Sequence, residues 1–206
     1  MESISRRQER GAFPDYFKQA DIVILAEGDA HGAHAPAIVK FIDSFCDRVD
    51  GIFVEIPTDL QNSIDEYMRT GIVARNLELL FTGAANEGKE VREATLAVFD
   101  KARAKGLKVI CFDASKTRTE NARNPAKIGR YYLAGECRDE DMYSSVITYY
   151  DKHPGKYIII VGDQHLRDQN IEGDFINFGP RMKIELGNKC TTLRMTQGLY
   201  LDADAA

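Results

Sequence analysis

Two turns hold the residues best suited to chemistry in this chain, Gly28-Asp29-Ala30-His31 and Gly162-Asp163-Gln164-His165. Each ends in a histidine, the side chain whose ordinary pKa lies nearest neutrality and which serves as acid, base or metal ligand. Each follows an apolar run, Ile22–Ala26 in the first case and Tyr157–Val161 in the second. Further ionisable groups sit where other apolar runs end. Glu27 precedes the first turn, Glu55 lies between Val54 and Ile56, and Asp113 closes Leu107–Phe112. A carboxylate inside an apolar run is partly desolvated and calls for a metal, an Arg or a His as partner. Arg138, beside the acids Asp139, Glu140 and Asp141, stands where a helix begins, against the preference of the helix dipole. A guanidinium there suits an oxyanion, a phosphate or a carboxylate.

The elements that must bring these groups together follow from periodicity. Ile22–Ala26, Gly51–Pro57, Leu107–Asp113 and Tyr157–Val161 read as buried strands. Apolar residues recur at helical spacing in 35–48 (Ile38, Val39, Phe41, Ile42, Phe45), in a segment through Leu60, Ile64, Tyr67 and Met68, in Glu87–Lys105 and in Arg138–Lys152. Ile72–Phe81 reads as a short helical excursion and Ala126–Ala134 as another short helix. Phe13, Tyr16 and Phe17 are placed to dock the lead-in on the body. Gly106 closes the third long helix at the position that favours glycine. Met182–Leu186 and Thr191–Thr196 alternate about Gly187-Asn188 and predict a terminal hairpin. The order β-α-β-α-α-β-α-β predicts an α/β fold: a largely parallel central sheet with helices on both faces, plus a C-terminal β-hairpin. In such a sheet the strand C-termini share one edge. Ligands bind there, so Glu27, His31, Glu55, Asp113 and His165 are expected to converge.

Composition narrows the function. The 206 residues, 44% hydrophobic, suffice for one core, and no linker interrupts them, so a single domain over 1–206 is expected, with its core at about 21–200 and a disordered tail from Asp202. The net charge is −5 and there is no long Lys/Arg cluster, which argues against nucleic acid. No apolar run approaches the length of a membrane span. The polar N-terminus shows no secretory signal, and the four widely spaced cysteines (Cys46, Cys111, Cys137, Cys190) suit a reducing compartment, so a cytoplasmic location is expected, with export by a signal-independent route the alternative.

Together these residues resemble the Tiki/TraB and erythromycin esterase/ChaN-like superfamily. The resemblance covers roughly residues 21–166. It rests on Glu27-Gly28-Asp29-Ala30-His31, Val54-Glu55-Ile56, Arg138 to Met142 and Gly162-Asp163-Gln164-His165. It implies a hydrolase of ester or amide bonds acting on a small molecule or a peptide, with Glu27, His31, Glu55, Arg138 and His165 as catalytic residues. His31 or Glu55 would activate water, Glu27 would orient His31 or ligate a metal, and Arg138 and His165 would hold the oxyanion. In a metal-dependent member, His31, Glu55 and His165 would ligate Mn, Co or Zn. His34, three residues after His31, is expected in the first helical turn rather than on a metal. The superfamily also implies two alternatives. One is a haem- or metal-binding module, with Tyr131, Tyr132 and the histidines as haem ligands. The other is a bacterial toxin or effector domain. The superfamily includes haem-binding lipoproteins and esterases that open macrolide lactones; no lipobox cysteine is visible and the length is small for a macrolide esterase, so neither of those specific activities is expected.

Overall fold

The computed structural model of the protein describes residues 13–28, 34–81, 88–115, 131–167, 176–196 and 199–202. Among the described residues, six strands form one sheet in the order β3-β2-β4-β1-β5-β6. They are β1 (Ile22–Glu27), β2 (Gly51–Pro57), β3 (Lys108–Asp113), β4 (Tyr157–Gly162), β5 (Cys190–Thr196) and β6 (Leu199–Asp202). The first five are mutually parallel, and β6 runs antiparallel to β5. The strands β1 and β4 lie at the centre and are buried on both faces. That explains their unbroken apolar runs, since alternation appears only where one face meets water.

Helices cover both faces. On one, Val23, Leu25, Ile52 and Val54 pack with Ile38, Phe41, Ile42 and Phe45 of α1 (Ala35–Phe45). Ile64 and Tyr67 of α2 (Gln61–Thr70), Leu77 of α3 (Arg75–Phe81), and Val98, Phe99 and Ala102 of α4 (Gly88–Ala104) complete that layer. On the other, Ile22, Ile24, Phe53 and Phe112 meet Met142 and Val146 of α5 (Tyr131–Lys152) and Phe178 and Met182 of α6 (Phe178–Leu186). Tyr16 stacks on Phe41, Phe13 packs on the same ring at a tilt, and Phe17 meets Phe45, so the lead-in is anchored by aromatic contacts as expected. Gly106 follows α4 with φ +67°, a conformation that other residues adopt at a cost. No helix among the described residues is long and apolar enough to cross a membrane.

Four sequence expectations change. Residues 182–186 are helical, not the first arm of a hairpin. Met182 is fully buried while Ile184 is 71% exposed, although a strand would place both on one face. Phe178, Met182 and Leu186 instead form the i, i+4, i+8 row of α6. The hairpin that exists is β5 with β6, pairing Thr196 with Leu199. Asp202 accordingly belongs to β6, and the rest of the expected tail lies outside the described residues. Finally, α5 begins at Tyr131, so Arg138 lies two turns inside a helix rather than at its start. The short helix expected over 126–134 is in part the beginning of α5, and residues 126–130 lie outside the described set.

Candidate active site

The sheet order creates a crevice beside β4. The chain leaves β1 and β2 toward the α1 and α2 face, and leaves β4 toward the α6 face. Adjacent strands whose connections diverge in this way open a gap at their C-terminal ends, where ligands bind in such sheets. Glu55 and His165 sit at that gap, and Glu27 ends β1 beside Gly162 of β4.

Glu55 is set there by strand parity and a bulge. Val54 and Ile56 point into the α1 face, so Glu55 points to the α5 face with Phe53. Between the pairs Val54–Cys111 and Pro57–Asp113, β2 carries one residue more than β3, a bulge of the kind that re-aims a side chain at a site. Its Oε2 accepts the Gly162 N–H at 2.7 Å, its Oε1 accepts from Arg138 Nη2, and the same oxygen lies 3.3 Å from His165 Nε2. Burial would raise the Glu55 pKa, but the hydrogen bond and charge of His165, the charge of Arg138 and the Gly162 N–H outweigh it and bring it to about 2.

His165 occupies a 3-10 turn over Asp163–Leu166 and is 6% exposed. Its Nδ1–H donates to Asp139 Oδ1 at 2.5 Å, and the Gln164 side-chain amide lies 3.3 Å from Nε2. Burial would favour neutral imidazole. The hydrogen bonds to Asp139 and Glu55, and their charges, overcome this and raise its pKa to about 9. The turn is braced from behind. Gly179 of α6 approaches so closely that a Cβ there would stand 3.3 Å from Leu166 Cα and 3.4 Å from the His165 carbonyl oxygen. Arg194 of β5 also donates to the Leu166 carbonyl at 3.2 Å.

Arg138 links two strands. Its Nε and Nη2 donate to Asp113 Oδ1 and Oδ2 at 2.7 and 2.9 Å, and Nη2 also reaches Glu55. The fork-on-fork fit to Asp113 is the geometry only arginine offers. Desolvation opposes the charge, but Asp113 and Glu55 hold the guanidinium firmly protonated. Successive residues on α5 therefore serve the site together, Arg138 gripping the β2 and β3 ends and Asp139 gripping His165.

Of the five expected site residues, the structure brings Glu55, Arg138 and His165 together. Glu27 lies at the end of β1, half-buried. His31 lies outside the described residues. His34 is buried at the N-cap of α1, one position before the helical turn expected for it. His153 follows the end of α5 and packs on Tyr149, away from the crevice. Asp139 is absent from the expected site, because the helix dipole alone explains an acid in a first helical turn. Asp113 was expected at the edge, but its grip on Arg138 was not.

Of the three expected metal ligands, Glu55 and His165 are described and His31 lies outside the described residues. Among the described residues no three His, Cys, Asp or Glu side chains are arranged to hold an ion. The Arg138 guanidinium lies between Asp113 and Glu55 where a cation shared by the two carboxylates would go, and His165 already faces Asp139 and Glu55. Of the haem ligands considered, His165 is described and faces Asp139 and Glu55. The side chains of Tyr131 and Tyr132, the other haem ligands considered, are not among those described.

The two shifted groups make stability depend on pH in a definite way. His165 has a folded pKa above its ordinary 6.5, so its contribution is complete below about 6.5 and disappears as pH rises through about 9. Glu55 has a folded pKa below its ordinary 4.5, so its contribution is complete above about 4.5 and disappears as pH falls toward 2. Urea unfolding is expected to show a plateau between pH 4.5 and 6.5. On the alkaline side the loss should be on the order of 3 kcal/mol by pH 9.5, and H165Q should flatten that limb. An alkaline limb unchanged in H165Q would assign it to other groups.

Comparison with known proteins places this fold. No family model matches the sequence, and no curated protein matches it. Solved structures do match in three dimensions. A structure described as bacterial protein toxins aligns with TM-score 0.63 at 18% identity, covering 92% of this chain and 38% of that one. The haem-binding protein ChaN of Campylobacter jejuni aligns with TM-score 0.57 at 13% identity, covering 90% of this chain and 89% of that one. A mutant erythromycin esterase in its open conformation aligns with TM-score 0.59 at 12% identity, covering 85% of this chain and 69% of that one. This chain thus spans well under half of the toxin chain and nearly the whole length of ChaN. These neighbours carry the ChaN and erythromycin esterase part of the resemblance, and at such identities they show the fold: the chain has the α/β fold shared by ChaN, erythromycin esterase and bacterial protein toxins.

Proposed function

We propose that the protein is a hydrolase of ester or amide bonds whose site needs no divalent metal. The observation that carries the reading is His165, a buried imidazole set between Asp139 and Glu55 in the crevice beside β4, where those carboxylates raise its pKa to about 9. A cation fixed there before substrate arrives stabilises a developing oxyanion without reorganisation and can deliver a proton to the leaving group. Glu55, ionised down to about pH 2, is a weak base by itself and serves to hold and charge His165. Arg138, committed to Asp113 and Glu55, is a positioning residue. The base is then assigned to His31, oriented by Glu27. It takes a proton from water as the water oxygen bonds the carbonyl carbon. The C–O or C–N bond breaks next, and the leaving group takes the His165 proton.

The test is turnover of p-nitrophenyl esters and of an unfolded polypeptide by purified protein. E55Q and H31A are expected to stay folded and to lose at least about a hundredfold in kcat. Full activity in both variants would reject the assignment. The ChaN neighbour, close to this chain in length, supports haem binding as the second reading, and the toxin neighbours support an effector domain that acts on another protein.

A further inference from the structure

β3 is the outer strand of the described sheet on the side of β2. A groove of about 1190 Å³ runs along its outer edge among the described residues. One wall is α2, with Gln61, and the other is α5, with Ser145 and Thr148. Lys108 and Lys152 stand at one end and Asp113, the partner of Arg138, at the other. The groove therefore begins at the candidate site and follows the strand to its N-terminal end. Its volume exceeds the usual range for small-ligand pockets.

The edge itself is satisfied by a side chain. The Gln61 side-chain amide donates to the Val109 carbonyl at 2.9 Å and accepts from the Cys111 N–H at 2.7 Å. Those are the two outward groups that one residue of a further parallel strand would take. A primary amide on a side chain thus stands in for a peptide unit. The exchange of this one amide for a run of peptide groups keeps every edge hydrogen bond and adds more.

We propose that this groove binds an extended polypeptide as a strand parallel to β3, and that it is the substrate-docking site of the hydrolase proposed above, on which reading its substrate role rests. Parallel pairing directs the C-terminal end of the docked segment toward Asp113 and the crevice. From an added strand to β4 is three strand spacings, about 14 Å, or roughly four extended residues. The bond attacked at His165 then lies about four residues beyond the docked segment. Lys108 and Lys152, exposed at the far end, favour acidic side chains at the segment's N-terminal end. Recognition by backbone pairing with modest side-chain preference is the known logic of strand addition.

The experiment is hydrogen exchange over residues 107–115 of the full chain, with and without excess reduced, carboxymethylated α-lactalbumin, an unfolded acidic polypeptide. Wild type is expected to show at least tenfold slower exchange in this segment with the polypeptide. T148W, which fills the groove from an exposed helix position, should lose that protection, and S145W should do the same if T148W is poorly folded. No added protection in wild type, equal protection in both Trp variants, or an edge already fully protected without the polypeptide would each overturn the proposal. Failure of the hydrolase reading is separate. Protection without turnover of ester or polypeptide leaves the docking site standing and removes only its catalytic purpose.

Discussion

Replacing Arg138 with Met should destabilise the protein by about 3 kcal/mol at pH 7, the size seen when one partner of a buried charge pair is removed. The reason lies in what stays behind. Asp113, at 11% side-chain exposure, and Glu55, at 20%, would face each other across the ends of β3 and β2 with only His165 as cation. R138K should recover little, because an ammonium cannot make the two parallel bonds to Asp113 while reaching Glu55. Adding E55Q and D113N to R138M should restore much of the loss, since neutral amides need no counter-ion. Urea unfolding of the four proteins checks this. A loss below about 1 kcal/mol in R138M would mean that water replaces the guanidinium, and that the cluster is not held by charge.

Arg138 also marks where sequence reasoning ends. The strands were legible because burial on both faces leaves long runs of Ile, Val and Leu, and the site edge was legible because Glu55 interrupts such a run. The extent of α5 was not. Its first turns, through Gly135, lack a consistent apolar stripe, so the pattern becomes clear only from Met142 onward. With the start misplaced, Asp139 looked like a dipole acid instead of the His165 partner. The error over 182–186 has a related cause. Met182, Ile184 and Leu186 satisfy a strand period over five residues, and only the further row back to Phe178 decides for a helix. Which carboxylate meets which cation depends on strand order, and the insertion of β4 between β1 and β2 is a tertiary fact that no local pattern carries.

His165 is where the chemistry of the proposal is decided, and H165N should lower kcat on an ester substrate by about a thousandfold while leaving the fold intact. Asparagine can still accept or donate one hydrogen bond near Asp139, but it carries neither charge nor transferable proton. If His165 acts as the acid, wild-type kcat/KM should fall as pH rises through about 9, where the imidazolium loses its proton. D139N removes one of the two carboxylates that raise this pKa, so the same limb should move to lower pH, with activity retained below it. A merely structural His165 would not produce that coupled shift, because stability lost in D139N would lower the rate at every pH alike. An alkaline limb that stays near 9 in D139N would remove His165 as the acid and return the role to a group outside the Asp139–His165–Glu55 chain.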